Sequence, residues 1–172
     1  PGKRVTDVLP TSRGELWAAT DKGVVRLERG RWIREIPSLA GAHVTDLVED
    51  SAGALWIGTL SHGFARFADG TLEMGSEPGE SSSAVLTLAE DREGTMWAGL
   101  ATGGLLQLRP TAFSALDATD GIARDSVRAV LPTRDGALWI GTAGAGLTRY
   151  HAGRSRTFTT REGLPSNFVF GL

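Results

Sequence analysis

Apolar residues along this chain come in short runs, separated by polar turns that carry Gly. Laid out from the Val that opens each cluster, the runs repeat. The first unit reads "VTDVLPTSRGELWAATDKGVVRLERGRW" from Val5, and the second "VTDLVEDSAGALWIGTLSHGFARFADGTL" from Val44. The third reads "VLTLAEDREGTMWAGLATGGLLQLRPTAF" from Val85, and the fourth "VRAVLPTRDGALWIGTAGAGLTRYHAGRSRTF" from Val127. Gly14, Gly53, Gly94 and Gly136 stand at one fixed offset from these Val residues, and Trp17, Trp56, Trp97 and Trp139 at another. The heptapeptide "GALWIGT" occurs twice, at Gly53–Thr59 and Gly136–Thr142. A unit that stacks on copies of itself repeats its residues in this way, and a period of roughly 40 residues is one of the lengths such units take.

Each unit predicts four strands. The first is "VTDLVE" or its equivalent, ended by a turn such as "DSAG" or "DREG", where Asp bonds the turn backbone and Gly takes positive φ. The second is "LWIGT", "MWAGL" or "LWAAT"; the third is "VVRL", "FARF", "LLQL" or "LTRY". A weaker fourth strand holds Trp32, Leu72, Phe113 or Phe158. Hairpin-length turns make the neighbours antiparallel. No segment keeps a helical spacing of apolar residues.

The second strand decides the architecture. "LWI" is apolar on consecutive residues, so both faces of its sheet seek cover. Small sheets packed face to face around an axis are the blades of a β-propeller. The expected fold is therefore all-β: a propeller, or a propeller fragment, of four antiparallel four-stranded blades near residues 5–38, 44–76, 85–118 and 127–160. "VFGL" at 169–172 matches the start of a further blade, so the chain reads as a piece of a larger propeller. The four repeated Trp residues read as interblade core rather than as a stacking platform for a ligand. Trp56 and Trp139 in particular are expected to be buried between blades. An arc of such blades leaves an apolar face at each end. The expected partners are thus the missing blades or a second copy of the chain.

Composition narrows the chemistry. The 172 residues carry 18 basic and 20 acidic side chains, which gives no basic surface for nucleic acid. No apolar run approaches the ~20 residues that span a bilayer, so this segment is expected to make no membrane contact. The opening "PGKRVTDV" does not resemble a signal peptide. Cys is absent, which excludes thiolate metal sites and a Cys nucleophile. Three His, at 43, 62 and 151, show no paired metal-ligand spacing, and no GxSxG occurs. "GTAGAGL" lies between two strands, where a dinucleotide loop has no helix to hold a pyrophosphate. The turn-then-Trp order is similar to the Asp box of sialidases, but Asp91 stands at a different spacing from Gly94. The carboxylate pairs Glu49–Asp50 and Glu90–Asp91 sit where strand meets turn, which favours turn capping over acid–base catalysis. The recurrent Arg of the third strand reads as the partner of an acid on a neighbouring strand or blade. No catalytic residue, metal or cofactor is expected.

The pattern "VxxLxEDxxGxLWIGTxxxGxxRF", with the linker "REGLPSNFVFGL" at 161–172, resembles the two-component regulator propeller repeat. Ala19, Leu100 and Gln107 depart from it, in place of Gly, Thr and Arg. The resemblance implies a ligand-sensing input region of a membrane-bound bacterial signalling protein, often a hybrid histidine kinase and sometimes a diguanylate cyclase. It also implies a periplasmic location, action through dimers, and a saccharide or other small ligand. The repeats are similar as well to those of streptogramin lyases, whose propeller uses His and a metal. A lyase, with His43 and His62 in one unit, is the alternative reading, and a protein–protein scaffold is another.

Topology points to a binding face. In an up-and-down sheet, the turn between strands two and three and the linker to the next blade share one end. That end collects the more varied segments, where function is commonly carried. The candidate ligand-binding residues there are Asp21, Lys22, His43, His62, Thr102, Arg124, Asp125 and Asn167, and Ser83 lies in another of the linkers. The turn Gly and the Trp residues are assigned to structure.

Overall fold

The computed structural model describes residues 4–34, 36–75, 84–109, 112–116, 118–123 and 125–172. Among these residues the chain forms sixteen strands in four antiparallel sheets. Sheet one holds β1 (Val5–Pro10), β2 (Leu16–Thr20), β3 (Gly23–Glu28) and β4 (Arg31–Arg34). Sheet two holds β5 (Val44–Glu49), β6 (Leu55–Thr59), β7 (Phe64–Ala68) and β8 (Thr71–Gly75). Sheet three holds β9 (Val85–Glu90), β10 (Met96–Leu100), β11 (Leu105–Arg109) and β12 (Ala112–Leu116). Sheet four holds β13 (Val127–Pro132), β14 (Leu138–Thr142), β15 (Leu147–His151) and β16 (Arg154–Phe158). Strand order in every sheet follows the sequence, the up-and-down pattern of propeller blades. The chain divides into two compact units, Pro1–Val85 and Leu86–Leu172, each with two whole or nearly whole sheets.

In the first unit, sheets one and two enclose one core. Trp17, Ala19 and Val24 come from sheet one, and Leu47, Leu55, Ile57 and Ala65 from sheet two. Phe67 meets Trp17 edge-on, ring centroids 6.0 Å apart. The linker adds Ile36 and Leu39, both 2% exposed, on either side of Pro37 in a 3-10 turn. In the second unit, Trp97 and Leu105 pack with Leu138 and Ile140, and Ile122 fills the place of Leu39. These two linkers therefore do more than vary: their apolar residues, Ile36 and Leu39 in one and Ile122 in the other, plug the core between the two sheets of their unit.

The Trp expectation needs a correction. Trp17 and Trp97 are buried at 5% exposure, but Trp56 and Trp139 are only half-buried. Trp17 and Trp97 lie on the first sheet of their unit and are covered by the second. Trp56 and Trp139 lie on second sheets and stack instead on Phe64 and Phe158 of their own sheets, at 5.9 and 5.8 Å.

The recurring Gly-Thr has two separate causes. A Cβ on Gly99 would lie 2.5 Å from Cγ1 of Val127, and one on Gly58 would lie 3.0 Å from Cγ1 of Val85. Gly is thus what lets the Val that opens the next repeat seat against β6 or β10. Val169 takes the same seat on Gly141, although residues 169–172 form no strand. The Thr hydroxyl closes the following hairpin. Thr20, Thr59 and Thr142, all buried, donate to the carbonyls of Gly23, Gly63 and Gly146 at 2.8–3.0 Å. Each also accepts from a backbone N–H within the hairpin.

Candidate functional site

At the linker end of the first unit, Asp21 and Lys22 form the β2–β3 hairpin. Asp21 accepts from the Arg4 amide at 3.3 Å, and the Lys22 carbonyl accepts from Gly41. The His43 carbonyl accepts from Leu60, and the exposed His62 ring pairs through Nδ1 with the Ser61 hydroxyl at 2.8 Å. In the second unit Thr102 is exposed on the β10–β11 hairpin. Asp125 and Asn167 are brought together on the β14–β15 hairpin. Asp125 accepts from Ala145 at 2.8 Å and from Ser126 at 2.7 Å, while the Asn167 carbonyl accepts from Gly146 and its side chain from Thr160. These two polar side chains hold loop geometry. Arg124 and Ser83 lie outside the described residues. Among the described residues, no three His, Cys, Asp or Glu gather at metal-binding distance.

The opposite end of the sheets carries a repeated polar device. Asp50 accepts two turn amides, Ala52 at 3.1 Å and Ala54 at 2.8 Å, through Oδ1, and the Trp56 indole N–H through Oδ2 at 2.8 Å. Asp91 does the same in sheet three, taking Glu93 and Thr95 at 2.9 Å and the Trp97 indole at 2.8 Å. The turn Asp thus caps the turn with one oxygen and fixes the Trp with the other. The capping follows from the sequence, but the indole bond does not, because it depends on where the ring points.

Arg joins this device from the third strand. Arg26, Arg66 and Arg149 stand directly opposite Trp17, Trp56 and Trp139 in the strand pairing. Their guanidinium groups reach acids of their own sheet's first turn: Glu15 at 2.8 Å, Asp50 at 3.8 Å and Asp135 at 2.6 Å. Arg26 and Arg66 also lie over their indoles, 5.7 and 6.0 Å from the ring centroids. Where Thr11 and Thr133 replace the turn Asp, the acid moves to another turn position, Glu15 or Asp135. The Thr133 hydroxyl, followed by Arg149, holds the Asp135 carboxyl well below the usual carboxylate range. Glu49 takes a different role and accepts from the amide and hydroxyl of Ser12 on sheet one, at 2.6 and 2.8 Å.

Each unit has a groove at this rim between its two sheets. In the first unit the groove measures about 210 Å³ and includes Arg26, Trp17 and Glu15. In the second it measures about 380 Å³ and includes Gln107, Trp97, Asp91 and Tyr150.

Comparison with known proteins follows the same repeat. The family model described as the two component regulator propeller matches residues 38–61 and 121–144. Both matches run from the linker through the first strand and its turn into "LWIGT". The extracellular domain of a putative hybrid two component system from B. thetaiotaomicron is similar, with 24% identity and a TM-score of 0.77 over 94% of this chain. A second such domain from that organism has 23% identity and a TM-score of 0.72 over 91% of this chain. The chain spans only 24% of the length of either domain. A catalytically inactive virginiamycin B lyase from Staphylococcus aureus, crystallised with quinupristin, shares the fold at 15% identity and TM-score 0.75. That match covers 96% of this chain and 60% of the lyase. No curated protein matches the chain significantly. Sheet order and repeat spacing agree with the fold of these structures: the chain is a β-propeller segment, and two of its repeats match the two component regulator propeller model.

Proposed function

We propose that this chain is a ligand-sensing part of the input region of a membrane-bound bacterial two-component signalling protein, placed outside the cytoplasm. One observation carries the reading: the family model matches corresponding elements of two different sheets, one in each unit. The fold shared with extracellular domains of two-component systems supports the location. The segment binds and does not catalyse. Asp125 and Asn167 are engaged in holding a hairpin, and the rim carboxylates in capping turns and pairing with Trp or Arg. The face of sheet one bearing Val8, Leu27 and Trp32, which are 50, 36 and 43% exposed, suits a further blade or a second copy of the chain.

A panel of saccharides and other small molecules, screened on the indole N–H resonances, tests the reading. A bound compound recovered unchanged, which alters the output of the full-length protein, is the expected result. A compound recovered with a bond cleaved would favour the lyase fold relatives as a guide to function.

A further inference from the structure

Sheet three differs from the others at one position of the rim device. Gln107 stands opposite Trp97, where Arg26, Arg66 and Arg149 stand opposite the other Trp residues. The rest is retained. Asp91 holds the Trp97 indole at 2.8 Å, as Asp50 holds Trp56, and takes two turn amides in the same way. Wherever the Arg is present, an acid meets it, even when that acid has moved along the turn to Glu15 or Asp135. The acid and the cation therefore belong together, and sheet three has kept the acid with Gln107 at the position of the cation. The groove beside it, at about 380 Å³, is larger than the corresponding groove of about 210 Å³ that contains Arg26.

We propose that this groove binds a small ligand through a guanidinium group, which takes the place of the missing Arg between Asp91, Trp97 and Gln107. A guanidinium suits the site better than an ammonium. Its planar fork pairs with a carboxylate through two parallel N–H groups, as a point-charge ammonium does not, and in the first unit the Arg26 guanidinium meets Glu15 at 2.8 Å. Charge agrees with this. Asp91 and Glu93 line the groove, and Arg92, the one Arg among its described lining residues, donates to the Arg134 carbonyl at 2.7 Å. Tyr150 and Leu116 on the groove wall suit the aliphatic part of such a ligand, and the volume falls within the range of small-molecule sites.

Arginine amide and citrulline amide differ in the guanidinium alone, so they make the test. Each is titrated into the chain while the Trp97 indole N–H resonance is followed. Arginine amide is expected to shift it saturably, and citrulline amide to bind at least about tenfold more weakly. Gln107→Arg, which restores the cation found in the other sheets, is expected to abolish binding. Asp91→Asn is expected to weaken it about tenfold or more. Should Asp91→Asn fail to fold, Gln107→Arg still decides, since it rebuilds a pair the chain already tolerates. The proposal is overturned by no shift at ~10 mM arginine amide, by equal binding of citrulline amide, or by undiminished binding in Gln107→Arg. The titration reads binding alone, so its failure leaves the signalling proposal standing.

Discussion

Oδ2 of Asp50 lies 2.8 Å from Nε1 of Trp56, and the same carboxylate caps the turn between them through its other oxygen. This single side chain links the two most regular features of the repeat, the turn and the Trp. Its own side chain is only 10% exposed, so both bonds are made away from bulk water.

Removing that carboxylate orphans an indole N–H and two turn amides. Asp50→Ala is expected to cost about 2–4 kcal/mol in urea unfolding, because partly buried donors left unpaired lose ~1–3 kcal/mol each at most. Trp56→Phe, which leaves the turn cap intact, is expected to cost less. Equal losses in the two variants would contradict the dual role.

Burial separates the Trp residues. Trp17→Ala removes a side chain 5% exposed in a core shared by two sheets, and the expected cost is roughly 3–5 kcal/mol. Trp139→Ala, at a half-buried ring, is expected to cost clearly less in the same denaturant titration. The reverse order would contradict the packing described.

Gly99 is expected to refuse a side chain. Its added Cβ would lie 2.5 Å from Val127 and 2.8 Å from Thr87, so Gly99→Ala is expected to destabilise by about 1–3 kcal/mol. Trimming the neighbour in Gly99→Ala/Val127→Ala is expected to give less than the sum of the two single losses, which a double-mutant cycle measures.

Asp135 gives a pH signature. Its carboxyl titrates below its ordinary range in the folded chain, first because Thr133 donates to it and then because Arg149 does. A depressed folded value means that the stabilisation is complete above the unfolded value of about 4 and is lost as pH falls towards the folded one. Between pH 4 and pH 2, Asp135→Asn is therefore expected to lose less stability than the unaltered chain. Parallel denaturation midpoints over that range would refute the pairing.

The strands, their order and the turn caps were legible because they rest on periodicity and on Gly and Asp at fixed places. The linker plugs were not. Ile36, Leu39 and Ile122 are lone apolar residues in polar stretches, and only the tertiary fold reveals that the linker dips into the core. The acids that meet Arg26 and Arg149 were hidden for a related reason. Glu15 and Asp135 occupy different turn positions, so alignment by offset misses a partnership that space restores. The contrast between half-buried Trp56 and Trp139 and buried Trp17 and Trp97 depends on what packs around each ring, which a Trp at a fixed offset does not reveal. At the linker end, residue type marked Asp125 and Asn167 as candidates, but their hydrogen bonds run to backbone.

The central functional claim concerns which side of the membrane this segment occupies. The chain has no Cys, so Thr102→Cys introduces one exposed thiol into it. In the full-length protein, with any other Cys replaced, a membrane-impermeant maleimide is applied to cells whose inner membrane is intact. The account predicts that Thr102→Cys is labelled before lysis to the same extent as after it. Labelling only after the inner membrane is broken would contradict the account.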